Sequence, residues 1–250
     1  MAARVFAIPD GPAIELALVP RLESWERHEH RSRVALREFV AHVRDLIDPV
    51  IDATPGELPF RLDVGLGDEI DPLWQRDLDN YLFPIARGLP DRVVSVWGTK
   101  GPAADSRARV GPAVEITPPA DWEEFVVAQR PAGERSWKEG VREAIGSAME
   151  LREGPVALQL AFTVGPGCAW TGMWKPSIDG LEPLLGRTYP DRDWNPQDGR
   201  ILRLGLHRAV DPSFGHQAAI SVWARSADEA WPEIRWLAAL DQTKRNEMLF

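Results

Sequence analysis

"RDLDNYLFPIARGLPDR", residues 76–92, sets Asp77 and Asp79 two apart directly before an apolar stretch, and Asp91 directly after it. Two readings of this stretch are open. In one, Asp79 or Asn80 caps a short helix and Asp77 is an exposed turn residue, because short polar side chains satisfy the free N–H groups of a first helical turn. In the other, the three carboxylates are drawn together from both ends of one element to hold a cation. Pro84 interrupts any helix here unless it falls in the first turn.

Working outward, "FRLDVGL" (60–66) alternates strictly: Phe60, Leu62, Val64 and Leu66 share one face, with Arg61 and Asp63 on the other. That period of two predicts a strand with one packed face. Before it, from Ser32, the residues Leu36, Phe39, Val40, Val43, Leu46, Ile47 and Val50 recur at helical spacing. After the acidic stretch come "VVSVWGTK" and "AVEI", two further strands.

The same order recurs downstream. "SWKE" at Ser136 has the capping-box pattern with Glu139, and Trp137, Val141, Ile145 and Met149 form the stripe of a second helix that stops at Gly154-Pro155. "VALQLAFTV" (156–164) alternates like the first strand, "SIDG" (177–180) stands where "DLDN" (77–80) stood, and "ILRLGLHR" and "AAISVW" close the series. Ser136 follows Ser32 by 104 residues and "SIDG" follows "DLDN" by 100, offsets similar enough to suggest an internal duplication. The expected fold class is therefore α+β, with two similar units, each a small mixed sheet with a long helix packed on one face. The expected limits are 1–118 and 132–225, with the boundary in "TPPADWEEFVVAQRPAGER", followed by a C-terminal helix and tail over 226–250.

Composition narrows the function classes. At 250 residues and 44% hydrophobic content the chain can build a substantial core. No apolar run has the eighteen or so residues of a membrane helix, so no membrane association is expected. "MAARVFAIPDGP" has neither the apolar core nor the cleavage site of a signal peptide. The single cysteine, Cys168, forms no internal disulfide, which fits a cytoplasmic location. A net charge of −9 lacks the global basic footprint of most nucleic-acid binders. A local cluster, Arg27, Arg31, Arg33 and Arg37, reads as a solvated helix face.

The first unit resembles the RusA-type Holliday-junction resolvase family: an N-terminal strand ending in "IPDGP", a long helix, an alternating strand, "DLDNYLFPIARGL" and then "PDRVVSVWGTK". The resemblance implies a magnesium-dependent endonuclease acting on branched DNA, with Asp77, Asp79 and Asp91 as metal-binding, catalytic carboxylates. In the second unit it supplies Asp179 and Asp198 as further metal ligands, with Ser177 in place of the first aspartate and Gly180 in place of the asparagine. Because the family works as homodimers, a fused duplicate would form a pseudo-dimer within one chain. The family's helix lysine falls on Phe83 and Pro183, neither of which stabilises an anion. The alternative is therefore a catalytically inactive scaffold of the same fold that binds a protein or nucleic acid.

Clustered carboxylates suit Mg²⁺, which takes oxygen ligands in octahedral geometry and keeps several waters. Arg76, Arg87 and Arg92 lie close enough in sequence to contact phosphate. Of eleven tryptophans, Trp74 and Trp174 precede the second motif aspartate by five residues each, where they would stack on bases or simply pack. "DWNPQDG" (193–199) lacks the closing glutamate of a calcium loop and reads as a turn. There is no phosphate-cradling glycine loop, dinucleotide fingerprint or serine nucleophile elbow.

Overall fold

The computed structural model describes residues 3–23, 30–67, 70–73, 76–117, 123–131, 134–146 and 148–226. Trp74 and all but the first residue of the expected C-terminal segment lie outside them. In chain order the elements are β1 (Val5–Phe6), β2 (Ile14–Leu16), α1 (Arg31–Ala53), β3 (Leu58–Leu66), α2 (Leu78–Ala86), β4 (Val93–Pro102), β5 (Ser106–Val110), β6 (Glu115–Ile116), β7 (Glu123–Pro131), α3 (Glu134–Ile145), β8 (Val156–Val164), α4 (Trp174–Gly180), α5 (Glu182–Leu185), β9 (Ile201–Val210) and β10 (Gln217–Ser226).

The helical stripes seen in the sequence pack as expected. Leu36, Phe39, Val43 and Ile47 of α1 are buried, and His30 caps the helix by accepting the Ser32 N–H at 3.3 Å. Two details of α3 differ. It begins two residues before Ser136, so the capping box does not mark its start, and Met149 lies beyond its end, 83% exposed. Pro84 sits well inside α2. Proline there cannot donate to the carbonyl four residues back, and that carbonyl, on Asn80, instead accepts the Glu23 N–H at 2.8 Å. A partner from a distant loop thus lets a helix run through a residue that ordinarily ends one.

Eight strands form one mixed sheet in the order β2-β5-β3-β4-β9-β8-β10-β7. The fold is mixed α and β, but the sheet is continuous where two separate small sheets were expected. The segment 117–135, where the sequence predicts a boundary, contributes β7, which pairs with β10. Pairings run alike from either edge: two antiparallel steps, then a parallel one (β3 with β4, β8 with β9). The middle pair, β4 with β9, is antiparallel.

Alternation divides the sheet's faces. Phe60, Leu62 and Val64 of β3, Val96 of β4, Leu158 and Leu160 of β8, and Leu204 and Leu206 of β9 join the helices in a single apolar core. The other face carries polar pairs beside a small apolar cluster of Val5, Ala161 and Trp223. Asp63 accepts from Arg61 Nε and Thr99 Oγ1, both at 2.6 Å, and His207 lies 2.9 Å from Gln159 with the Trp97 ring edge-on to it. Burial pushes the His207 imidazole down to about 3, so it is neutral. No helix among the described residues is long and apolar enough to cross a membrane.

Candidate metal centre

Asp77 occupies the N-cap position of α2 but makes no side-chain capping bond there. Its Oδ2 instead accepts from Asn80 Nδ2 at 3.1 Å. Asp79 is buried in the first turn, 3% exposed. The capping reading of "DLDN" therefore does not describe these side chains.

Asp77, Asp79 and Asp198 each offer a carboxylate oxygen, and the three oxygens lie within 4.8 Å of one another. Among the described residues no other three acidic, histidine or cysteine side chains gather in this way. The third member differs from the one the stretch 76–92 suggested. Because β3 and β4 are parallel, α2 must carry the chain back along the sheet before β4 begins. Asp77 and Asp79 then lie at one end of α2 and Asp91 lies beyond the other, past nine residues or about 13 Å of helix. Antiparallel β9 enters the sheet from the opposite end, in a register that sets Thr99 against Arg203. The residue leading β9, Asp198, thus arrives beside Asp77. Asp91 is corrected accordingly: its side chain is 96% exposed and pairs with Arg208 at 2.9 Å.

Asp179 lies on the centre's side of the molecule, bound by Lys138 at 2.8 Å and by Lys175 at 3.3 Å. Lys175 Nζ also reaches Asp198 Oδ2 at 2.6 Å. Lys100, at the end of β4, is 4% exposed and donates to two main-chain carbonyls, those of Arg76 (2.7 Å) and Gly199. Neither Lys100 nor Lys175 belongs to a motif that marks it in the sequence. The signal for Lys100 was present: alternation along "VVSVWGTK" places it on the same face as Val94, Val96 and Gly98, an odd position for a lysine unless something polar waits there.

The electrostatics follow from burial. Desolvation raises Asp79 to about 7, against the pull of Lys175 and with added repulsion from Asp198, Asp77 and Asp179. Asp77 is raised too, by burial first and then by Asp198. Burial lowers Lys100 to about 8, opposed by Asp77, Asp198 and Asp79. Burial also pulls the Lys175 ammonium down, but the attraction of Asp79, Asp198 and Asp179 outweighs it and the net shift is upward.

In "SIDG" (177–180), Ser177 and Gly180 serve packing. Ser177 is buried, accepts the Trp137 indole N–H at 2.8 Å and donates to the Met173 carbonyl at 2.7 Å. A carboxylate there would be cut off from water and set against the Met173 carbonyl oxygen. Gly180 is required by close packing: a Cβ would fall 2.8 Å from Val141 Cβ and 2.9 Å from the Lys138 carbonyl oxygen.

The nucleic-acid contacts expected from sequence fare unevenly. Trp174 is 1% exposed and packs edge-on against Trp170, with ring centroids 5.0 Å apart, so it offers no face to a base. Arg92 donates to the carbonyls of Ile51 and Thr54, closing the C-terminus of α1. Arg87 is exposed at the far end of α2, its guanidinium over the Phe83 ring. Arg76 adjoins the centre through its main-chain carbonyl, which accepts from Lys100, while its side chain goes to Tyr81. The centre opens into a cleft of about 540 Å³ whose walls include Tyr189, Trp194 and Arg200.

No family model matches the chain, and no curated protein matches it. Among solved structures it is similar to a cyanuric acid hydrolase described as an innovation by structural concatenation, at 11% identity and a TM-score of 0.22. The match covers 73% of this chain and 64% of that one. A likeness at that score carries no argument about fold or activity.

Proposed function

We propose that the chain is a divalent-cation-dependent endonuclease of the RusA type, acting on branched or flapped DNA. In this reading two copies of one module are fused into a pseudo-dimer. The observation that carries it is the convergence of Asp77, Asp79 and Asp198 within 4.8 Å, from segments flanking the central strand pair. The duplication draws support from the strand order, which has the same pairings from both edges. It also draws support from Arg92 and Arg200, each just after a strand-leading aspartate and each closing the chain after a long helix, on Thr54 and on Gly154.

The donor set fits a hard cation. Four carboxylates, Asp77, Asp79, Asp179 and Asp198, face three ammonium groups, Lys100, Lys138 and Lys175. Burial first, and repulsion among the carboxylates second, raise Asp79 and Asp77, and a bound cation would offset both. Asp77, Asp79 and Asp198 would hold Mg²⁺, which supplies a polarised phosphate and an activated water. Around it, Asn80 orients Asp77, and Lys175 fixes Asp198 and balances its charge. With a single such centre among the described residues, the expected product is a nick in one strand.

A second reading is a non-catalytic scaffold of the same fold that binds a protein or nucleic acid. The Lys175 ammonium, 2.6 Å from Asp198, favours it by partly replacing a cation. A labelled four-way junction and a flap, each incubated with the protein and millimolar Mg²⁺ or Mn²⁺, separate the two. Nicks that Asp79→Asn abolishes support the nuclease. Binding without cleavage supports the scaffold, and no binding at low salt removes DNA from both.

A further inference from the structure

Lys138 and Lys175 meet carboxylates directly, whereas Lys100 does not. Its Nζ binds the carbonyl of Arg76, one residue before Asp77, and the carbonyl of Gly199, one residue after Asp198. One ammonium group thus ties together the main chains of the two segments that carry the converging side chains. These segments are far apart in sequence, and neither is held inside a strand: residue 76 precedes α2 and residue 199 precedes β9. Burying an ammonium is costly unless its donors are satisfied. Two of its three donors are used on these carbonyls.

We infer that Lys100 is a positioning residue, a clamp whose bridge between the Arg76 and Gly199 carbonyls sets the spacing of Asp77 and Asp79 from Asp198. The inference rests on reading this centre as a cation site, and it adds how the two halves are held in register to form it. A carbonyl released from the clamp lets the adjoining aspartate drift. Because ligand sets tolerate errors of only a few tenths of an ångström, cation affinity is the property most sensitive to that drift. Lys175 could not take over the task, since it grips side chains that can rotate and leaves the backbone free.

The test compares the wild type, Lys100→Met and Lys100→Arg by two readouts: Mn²⁺ affinity from electron paramagnetic resonance titration, and amide hydrogen exchange. Lys100→Met is expected to speed exchange at least tenfold at residues 76–80 and 197–201 while β3 and β8 stay protected, and to weaken Mn²⁺ binding at least tenfold. Lys100→Arg, which still donates to both carbonyls, is expected to recover most of both. Unchanged exchange at the two segments in Lys100→Met overturns the clamp. So does a uniform rise across the whole sheet, which would mark a general fold staple. A wild type that binds no Mn²⁺ overturns the cation reading of the centre instead, and the exchange data still decide the clamp.

Discussion

Replacing Asp79 by asparagine removes a buried charge while keeping its shape, and the structure sets both the sign and the size of the result. Burial raises the Asp79 carboxyl from 3.8 to about 7. The native state therefore holds a proton that the unfolded chain has released between about pH 4 and pH 7, and stability falls as pH rises through that window. Above it the penalty is fully present. About three pH units at 1.36 kcal/mol each give an upper bound of about 4 kcal/mol, and relaxation of the site would leave about 2–4 kcal/mol. The asparagine carries no charge and escapes this term. Urea unfolding in EDTA at pH 5 and pH 8 is the assay. The wild type should lose stability between the two, Asp79→Asn should lose at most half as much, and the variant should be the more stable protein at pH 8. Asp77, raised in the same direction, accounts for the residual slope. Lys100, lowered to about 8, acts with opposite sign and only above that pH, so the windows do not overlap. Excess Mg²⁺ at pH 8 should restore stability to the wild type alone, since a ligand bound only by the folded state stabilises it. Identical pH profiles for the two proteins would refute the burial argument.

Two other substitutions test the roles assigned to single residues. Arg92→Ala should cost about 2 kcal/mol by leaving the α1 terminal carbonyls without their charged donor, measured by thermal unfolding, with DNA affinity unchanged; a loss of affinity at constant stability would return Arg92 to phosphate binding. Gly180→Ala should cost about 1–3 kcal/mol by forcing α4 off α3, read by urea titration; a neutral result would mean that the Val141 and Lys138 contacts relax freely.

Much of the architecture was legible because it rests on local periodicity. The alternation of 60–66 and 156–164 and the stripes of α1 and α3 come directly from residues facing one core. What escaped depends on contacts distant in sequence. Nothing local in "PDRVVSVW" says that β4 will pair with a strand running the other way, yet that pairing exchanges Asp91 for Asp198 in the acidic centre. Pro84 looked like a helix breaker because its compensating donor, Glu23, lies sixty-one residues upstream. Trp174 looked like a base-stacking platform because sequence position reports nothing of burial. Phe83 and Pro183 stand where the resemblance places a lysine, while the fold brings Lys100 and Lys175 from elsewhere.

The most direct measurement is a Mn²⁺ titration of the wild type beside Asp198→Asn and Asp91→Asn. One cation per wild-type chain, lost in Asp198→Asn and retained in Asp91→Asn, is the predicted result. Loss in Asp91→Asn with retention in Asp198→Asn, or no binding by the wild type, would contradict a centre assembled across the middle of the sheet.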